Sequence, residues 1–137
     1  MTNTIPAKQL RIECAPAPDL PAVLVDKQRI GHVFANLITN AVTHSPPGGR
    51  ILLRAARAEE GWVQFSVSDE GPGIPAEYQS RIFDRFFRVP GQSKTGAGLG
   101  LSIAREITLA HGGRISVDSS PGQGATFYIV LRAANAL

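Results

Sequence analysis

Cysteine occurs once in these 137 residues, as Cys14, so no internal disulfide can form, and a chain of this length can bury a core without one. A lone thiol suits a reducing cytosol, and its alternation with Leu10 and Ile12 marks Cys14 as a small core residue. Long apolar runs are also missing. None approaches the roughly 18 residues of a membrane span, and Met1-Thr2-Asn3-Thr4 lacks the pattern of a signal peptide. Neither sign of charge dominates: 14 Lys and Arg against 11 Asp and Glu leave a net +3. No long basic stripe with interleaved aromatics runs along the chain, which argues against nucleic acid as a partner. Repeats and low-complexity tracts are absent. The three histidines, His32, His44 and His111, have no Cys or His neighbour at ligand spacing, which argues against a zinc site. A hydrophobic fraction of 43% with 18% charged residues is that of one soluble globular domain.

What is present is ordered punctuation. Gln9–Glu13 and Ala22–Val25 read as short strands around a Pro-rich turn. Asp26 is a good N-cap for a helix whose apolar residues Ile30, Val33, Phe34, Leu37, Ile38, Ala41 and Val42 recur at helical spacing. Ser45-Pro46-Pro47-Gly48-Gly49 stops it. Arg50–Ala58 and Trp62–Ser68 read as a hairpin, 69–97 as loop with helical turns near Ala76–Phe83, and Gly98–Ala110 as a second helix ended by His111-Gly112-Gly113. Arg114–Asp118 and Ala125–Leu131 close the chain as another hairpin. This order predicts a two-layer α/β sandwich, a mixed sheet covered by helices on one face. Residues 9–132 form the expected domain, with 1–8 a disordered or added N-terminal segment and 133–137 a tail.

Four short patterns carry chemistry. Asn36 and Asn40 stand four apart on one helix face, extended by Thr43, and their amide oxygens suit Mg2+, which takes oxygen ligands together with water and phosphate. Taken alone they are equally the polar flank of an amphipathic helix. Asp69-Glu70-Gly71-Pro72-Gly73-Ile74-Pro75 puts a carboxylate at a strand end ahead of two glycines that admit close backbone approach, or simply makes a turn. In Ile82-Phe83-Asp84-Arg85-Phe86-Phe87-Arg88, the phenylalanines pack a loop and could anchor a mobile lid, while Arg85 and Arg88 are candidates for bidentate phosphate contact. Arg81 and Lys94 extend that basic stretch, which faces either solvent or a polyphosphate. Gly96-Ala97-Gly98-Leu99-Gly100-Leu101 leads into a helix whose N-terminal amides favour an anion.

In this order the four patterns closely resemble the N, G1, F and G2 boxes of the catalytic, ATP-binding domain of sensor histidine kinases, over about Gln9 to Leu131. The resemblance implies the Bergerat ATP-binding fold and the cofactors ATP and Mg2+. It implies Asn40 as principal metal ligand, Asn36 as supporting ligand or phosphate contact, and Asp69 as acceptor for the adenine amine. It extends the nucleotide-contacting set to Ile74, Leu99, Leu101 and Thr126 beside Gly71, Gly73, Gly96, Gly98 and Gly100. Two positions depart from the pattern. Thr43 stands where the family usually has Lys, so Lys94 or Arg88 would take over that phosphate contact, and His44 stands at an often aromatic site, where it could stack on adenine. Gyrase-type and heat-shock-chaperone-type relatives carry a general-base Glu at the position of Asn36, which cannot accept a proton at neutral pH. ATP held without brisk hydrolysis is therefore expected, as in a kinase whose nucleophile comes from elsewhere.

The family's phosphoacceptor His is usually followed by an acidic residue, whereas His32, His44 and His111 precede Val33, Ser45 and Gly112. The expectation is thus the excised catalytic domain of a larger histidine kinase, monomeric as a fragment and silent in autophosphorylation alone. Its partners would be the parent's phosphoacceptor hairpin domain and a response regulator. The domain would lie in the cytoplasm without membrane contact, whether or not the parent is anchored in the inner membrane. An anti-sigma-factor-type Ser/Thr kinase of the same fold and a degenerate nucleotide-binding docking module remain open.

Overall fold

The computed structural model describes residues 2–5, 8–90 and 99–134. Within them the elements run β1 (Thr2–Ile5), β2 (Leu10–Pro16), α1 (Lys27–His44), β3 (Arg50–Arg57), β4 (Trp62–Asp69), α2 (Gly100–Ala110), β5 (Arg114–Ser119) and β6 (Ala125–Arg132), with a single 3-10 turn at Ala76–Tyr78. The strands form a six-stranded sheet in the order β1-β2-β3-β4-β6-β5. Only β2 and β3 pair in parallel, because α1 carries the chain back between them; the other pairs are antiparallel.

Both helices cover one face, and alternation along the strands decides which residues meet them. Ile51, Val67, Phe127, Ile129 and Leu131 pack with Ile30, Val33, Leu37 and Ala41 of α1 and with Ala104 and Ile107 of α2. Removing a side chain such as Leu37, fully buried here, from water contributes about 2 kcal/mol. The alternate residues, among them Arg54, Gln64 and Tyr128, lie on the opposite face, which no helix covers among the described residues. The two-layer α/β sandwich is therefore the architecture observed.

Helix α1 starts at Asp26, whose carboxylate accepts from the N–H groups of Gln28 (3.1 Å) and Arg29 (3.2 Å). It ends where Ser45 Oγ donates to the Ala41 carbonyl at 2.6 Å. Four expectations need correction. Ala22–Val25 is no strand: only Val23 bridges, antiparallel to Ala133, with the Leu24 N–H reaching the Arg132 carbonyl (3.4 Å) and the Ala134 N–H the Ala22 carbonyl (2.8 Å). Thr2–Ile5 is not loose but pairs with β2, whose free edge offers a ready ladder. Ala133, counted with the tail, is buried and donates to the Gly61 carbonyl at 2.8 Å. Cys14 is exposed rather than core, since β2 lies near the sheet margin and even Ile12 is only half-buried. The start of the second helix at Gly98 falls outside the described residues; the helix is seen from Gly100.

Candidate functional site

The C-terminal half of α1, the loop after β4 and the start of α2 converge. Asn36, Asn40 and Thr43 are all half-buried along one stripe of α1. The Nδ2 of Asn36 is buried and has no hydrogen-bond partner in the protein, the single such side-chain atom among the described residues. A buried amide N–H left unpaired costs about 1–3 kcal/mol, so this one calls for an incoming acceptor. Gly100 faces it: a Cβ there would lie 3.8 Å from the Asn36 amide carbon and oxygen. Gly100 opens α2, whose N-cap, Leu99, supplies no side-chain hydrogen bond, and the Ser102 hydroxyl turns back to the Leu99 carbonyl at 2.9 Å. The first amides of α2 thus present a positive helix end beside an unpaired donor, which suits phosphate oxygens. Leu101 packs into the core and holds that helix start in place.

Asp69 ends β4 with 8% of its surface exposed. Its carboxylate accepts from the Gly71 N–H at 2.8 Å. Burial raises its pKa above the ordinary 3.8, opposed by the Gly71 hydrogen bond, by nearby His44 and by the Ala125 backbone. The loop that follows has no room for a side chain at either of its glycines. A Cβ on Gly71 would come within 2.5 Å of the His44 carbonyl oxygen, and one on Gly73 (φ +78°) would collide with the Ser120 carbonyl. The β5–β6 turn buttresses this loop: Gly122 N–H donates to the Pro72 carbonyl (2.7 Å) and Ile74 N–H to Ser119 Oγ (2.8 Å). Gln79 bridges the carbonyls of Ile74 (2.9 Å) and Ser119 (2.8 Å). Ile74 is buried, and the hydroxyls of Thr126 and Ser68 meet at 2.9 Å on neighbouring strands one step from Asp69. His44 donates from Nδ1 to the Asn40 carbonyl at 2.9 Å, leaving Nε2 as an acceptor when the ring is neutral.

Along the phenylalanine run, Ile82 is buried, Phe83 meets Phe127 edge-on (6.1 Å between centroids) and Phe87 packs on Tyr78 (5.8 Å) beneath the Arg81 guanidinium. Phe86 breaks away. It sits at φ +65°, is 63% exposed and carries the Arg85 guanidinium over its ring, so Arg85 and Arg88 are at the surface. Lys94, Gly96 and Gly98, expected at the same site, lie outside the described residues. His111 is structural: its Nδ1 donates to the Ile107 carbonyl at 2.8 Å and its Nε2 accepts from the Asp26 N–H at 3.2 Å, while His32 is exposed.

Among the described residues no three His, Cys, Asp or Glu side chains gather as a metal site, so a divalent ion here would rely on amide and phosphate oxygens. Three participants escaped sequence reasoning. Ser119 holds the glycine loop from 45 residues away, Gln79 ties Ile74, five residues before it, to Ser119, 40 residues on, and the Lys8 ammonium reaches the end of α1 from 34 residues away. A separate cavity of about 480 Å3 beside Arg57, Trp62 and Arg132 lies at the opposite end of β4, about 23 Å from Asp69.

Residues 25–135 match the sequence profile described as histidine kinase-, DNA gyrase B-, and HSP90-like ATPase. The alginate biosynthesis sensor protein KinB of Pseudomonas aeruginosa is 45% identical over 125 residues, 91% of this chain and 21% of KinB, so the chain spans about a fifth of that relative. The fold superposes on the mycobacterial sensor histidine kinase MprB with a TM-score of 0.83 at 34% identity, covering 90% of this chain and 84% of that one. Full-length ShkA, in a crystal structure with AMPPNP, superposes equally well (TM-score 0.83, 35% identity) over 93% of this chain and 27% of its own.

Proposed function

This chain belongs to the family of histidine kinase-, DNA gyrase B- and HSP90-like ATPases, as a catalytic domain of the sensor-histidine-kinase kind, and we propose that it binds Mg-ATP and presents the γ-phosphoryl group to a histidine on a separate hairpin domain. One observation carries this: the buried, unpaired amide of Asn36 on α1 faces Gly100, the first residue of α2. The nucleotide analogue bound by ShkA, a close structural neighbour, supports it.

In this reading Asp69 accepts from the adenine amine, and Gly71, Gly73 and Ile74 line the base beside His44 and Thr126. Asn36 donates to a phosphate oxygen through its Nδ2, while the amides from Leu99 to Leu101 receive the phosphate chain. Gly96, Gly98 and Lys94 lie next to them in sequence, and Arg85 and Arg88 close over the phosphates from the phenylalanine run. Asn40, with Asn36, is the residue that would hold Mg2+, and the chemistry supplied there is neutralisation of charge on the transferring phosphoryl group. With Asn36 at that position, α1 carries no carboxylate to activate water, so phosphoryl transfer waits for an external nucleophile. The catalytic set is then Asn36, Asn40, Arg85 and Arg88, acting in the cytoplasm toward the hairpin and ultimately a response regulator.

The test is transfer of label from γ-labelled ATP to a supplied histidine hairpin domain from a sensor kinase. Acid-labile, base-stable label on the hairpin is the expected result. Acid-stable label on a serine or threonine would move the chain to a Ser/Thr kinase, and absence of Mg-ATP binding in calorimetry would reject the proposal.

A further inference from the structure

The Lys8 ammonium sits 3.0 Å from each of three backbone carbonyls, those of Val42, Thr43 and Ser45. An ammonium has three N–H donors, and here each has its own acceptor. These oxygens belong to the last turn of α1, where carbonyls run out of helical partners and the helix end is negative. Two carbonyls just before them have donors of their own: the Ala41 carbonyl takes the Ser45 N–H and hydroxyl, and the Asn40 carbonyl takes His44 Nδ1. The Lys8 backbone is tied to the same place, its carbonyl accepting from Gly48 N–H at 2.8 Å. Lys8 therefore closes the end of α1 from both its side chain and its main chain. It lies ahead of the residues that match the family profile, so that pattern assigns it nothing.

The turn it holds is not an ordinary helix end. It carries Asn40, Thr43 and His44, and the His44 carbonyl is the surface against which Gly71 packs with no room for a Cβ. Gly71 in turn donates to Asp69. A shift of the turn by a few tenths of an ångström would thus reach the carboxylate through two direct contacts. We propose that Lys8 is a positioning residue for the nucleotide site, fixing the last turn of α1 and the seat of the Gly71–Gly73 loop. The proposal rests on the nucleotide-binding function given above.

Lys8→Met keeps length and apolar stem but removes the charge and donors. Calorimetry with Mg-ATP on the whole chain should show affinity falling about tenfold, the scale of a lost charge-assisted cap. Lys27→Met, the same charge change at the exposed start of α1, should bind like wild type. Lys8→Arg should recover part of the loss, because a planar guanidinium cannot meet three carbonyls as an ammonium does. Hydrogen exchange is the readout that a merely structural role would not single out: the Ser45 and Gly71 amides should exchange faster in Lys8→Met while those of Val67 and Ile129 stay protected. Wild-type affinity in Lys8→Met, or acceleration spread evenly over all four amides, would overturn the role. A wild-type chain that fails to bind Mg-ATP would instead overturn the nucleotide function itself, a failure visible before any variant is made.

Discussion

Replacing Asp69 by Asn should strengthen the fold and turn the site away from adenine at once. The substitution is nearly isosteric, so the 8% exposed pocket at the end of β4 keeps its packing. Burial raises the Asp69 pKa, so the folded chain holds its proton to higher pH than the unfolded chain, whose value is 3.8. With the unfolded state binding fewer protons through that window, stability falls as pH rises from about 3.8 to the folded-state pKa and stays lowered above it. An amide carries no such penalty. Asp69→Asn should therefore match wild type below the window and exceed it near neutrality in urea unfolding. Binding responds oppositely. The one amide oxygen is committed to Gly71 N–H at 2.8 Å, which turns the NH2 group, a donor, toward the donor of the adenine amine. Losing a charge-assisted hydrogen bond of about 1.5–3 kcal/mol corresponds to roughly a ten- to hundredfold weaker Kd for Mg-ATP. Mg-GTP presents an acceptor at that position and should not weaken. In wild type, ATP affinity should also fall as pH drops through the raised Asp69 pKa, since the neutral acid is the poorer acceptor. Calorimetry with both nucleotides across pH decides it. Equal losses for ATP and GTP would make Asp69 a turn residue and refute the adenine role.

Asn40→Ala should abolish useful Mg-ATP binding while circular dichroism and the thermal midpoint stay near wild type, and unchanged affinity would remove the metal role. Gly73→Ala should cost about 2–4 kcal/mol in urea unfolding, because the residue sits at φ +78° and its Cβ would strike the Ser120 carbonyl; a loss under about 1 kcal/mol would show that the loop relaxes freely. The purified chain should hydrolyse ATP far more slowly than about 1 s−1, given Asn36 in place of a general base, and brisk phosphate release would place it among the hydrolytic relatives.

The parts of this molecule that could be read from sequence are those encoded by neighbours. The Asp26 cap, the 3- and 4-residue spacing of Ile30, Val33, Leu37 and Ala41, and the tight turn joining Arg50–Arg57 to Trp62–Asp69 are set by contacts a few residues apart, and each forms within a residue of where the pattern puts it. The glycines of the Asp69 loop were legible as a place of close approach, although what approaches is the His44 carbonyl and the Ser120 turn, the protein itself as well as any ligand. The failures share the opposite cause. Cys14 alternates correctly with Leu10 and Ile12, yet alternation fixes only the face of the sheet and not how far the helices extend over it. Ala22–Val25 has strand composition, but a strand needs a partner along its length, and the chain offers Val23 only the single bridge to Ala133. Lys8 is the extreme case: nothing near it in sequence asks for a cation, and its three acceptors appear only once α1 has ended and β2 has been laid against β3. A helix cap supplied from 34 residues away is a product of topology, so the residue that closes this site could be seen only after the fold had brought it there.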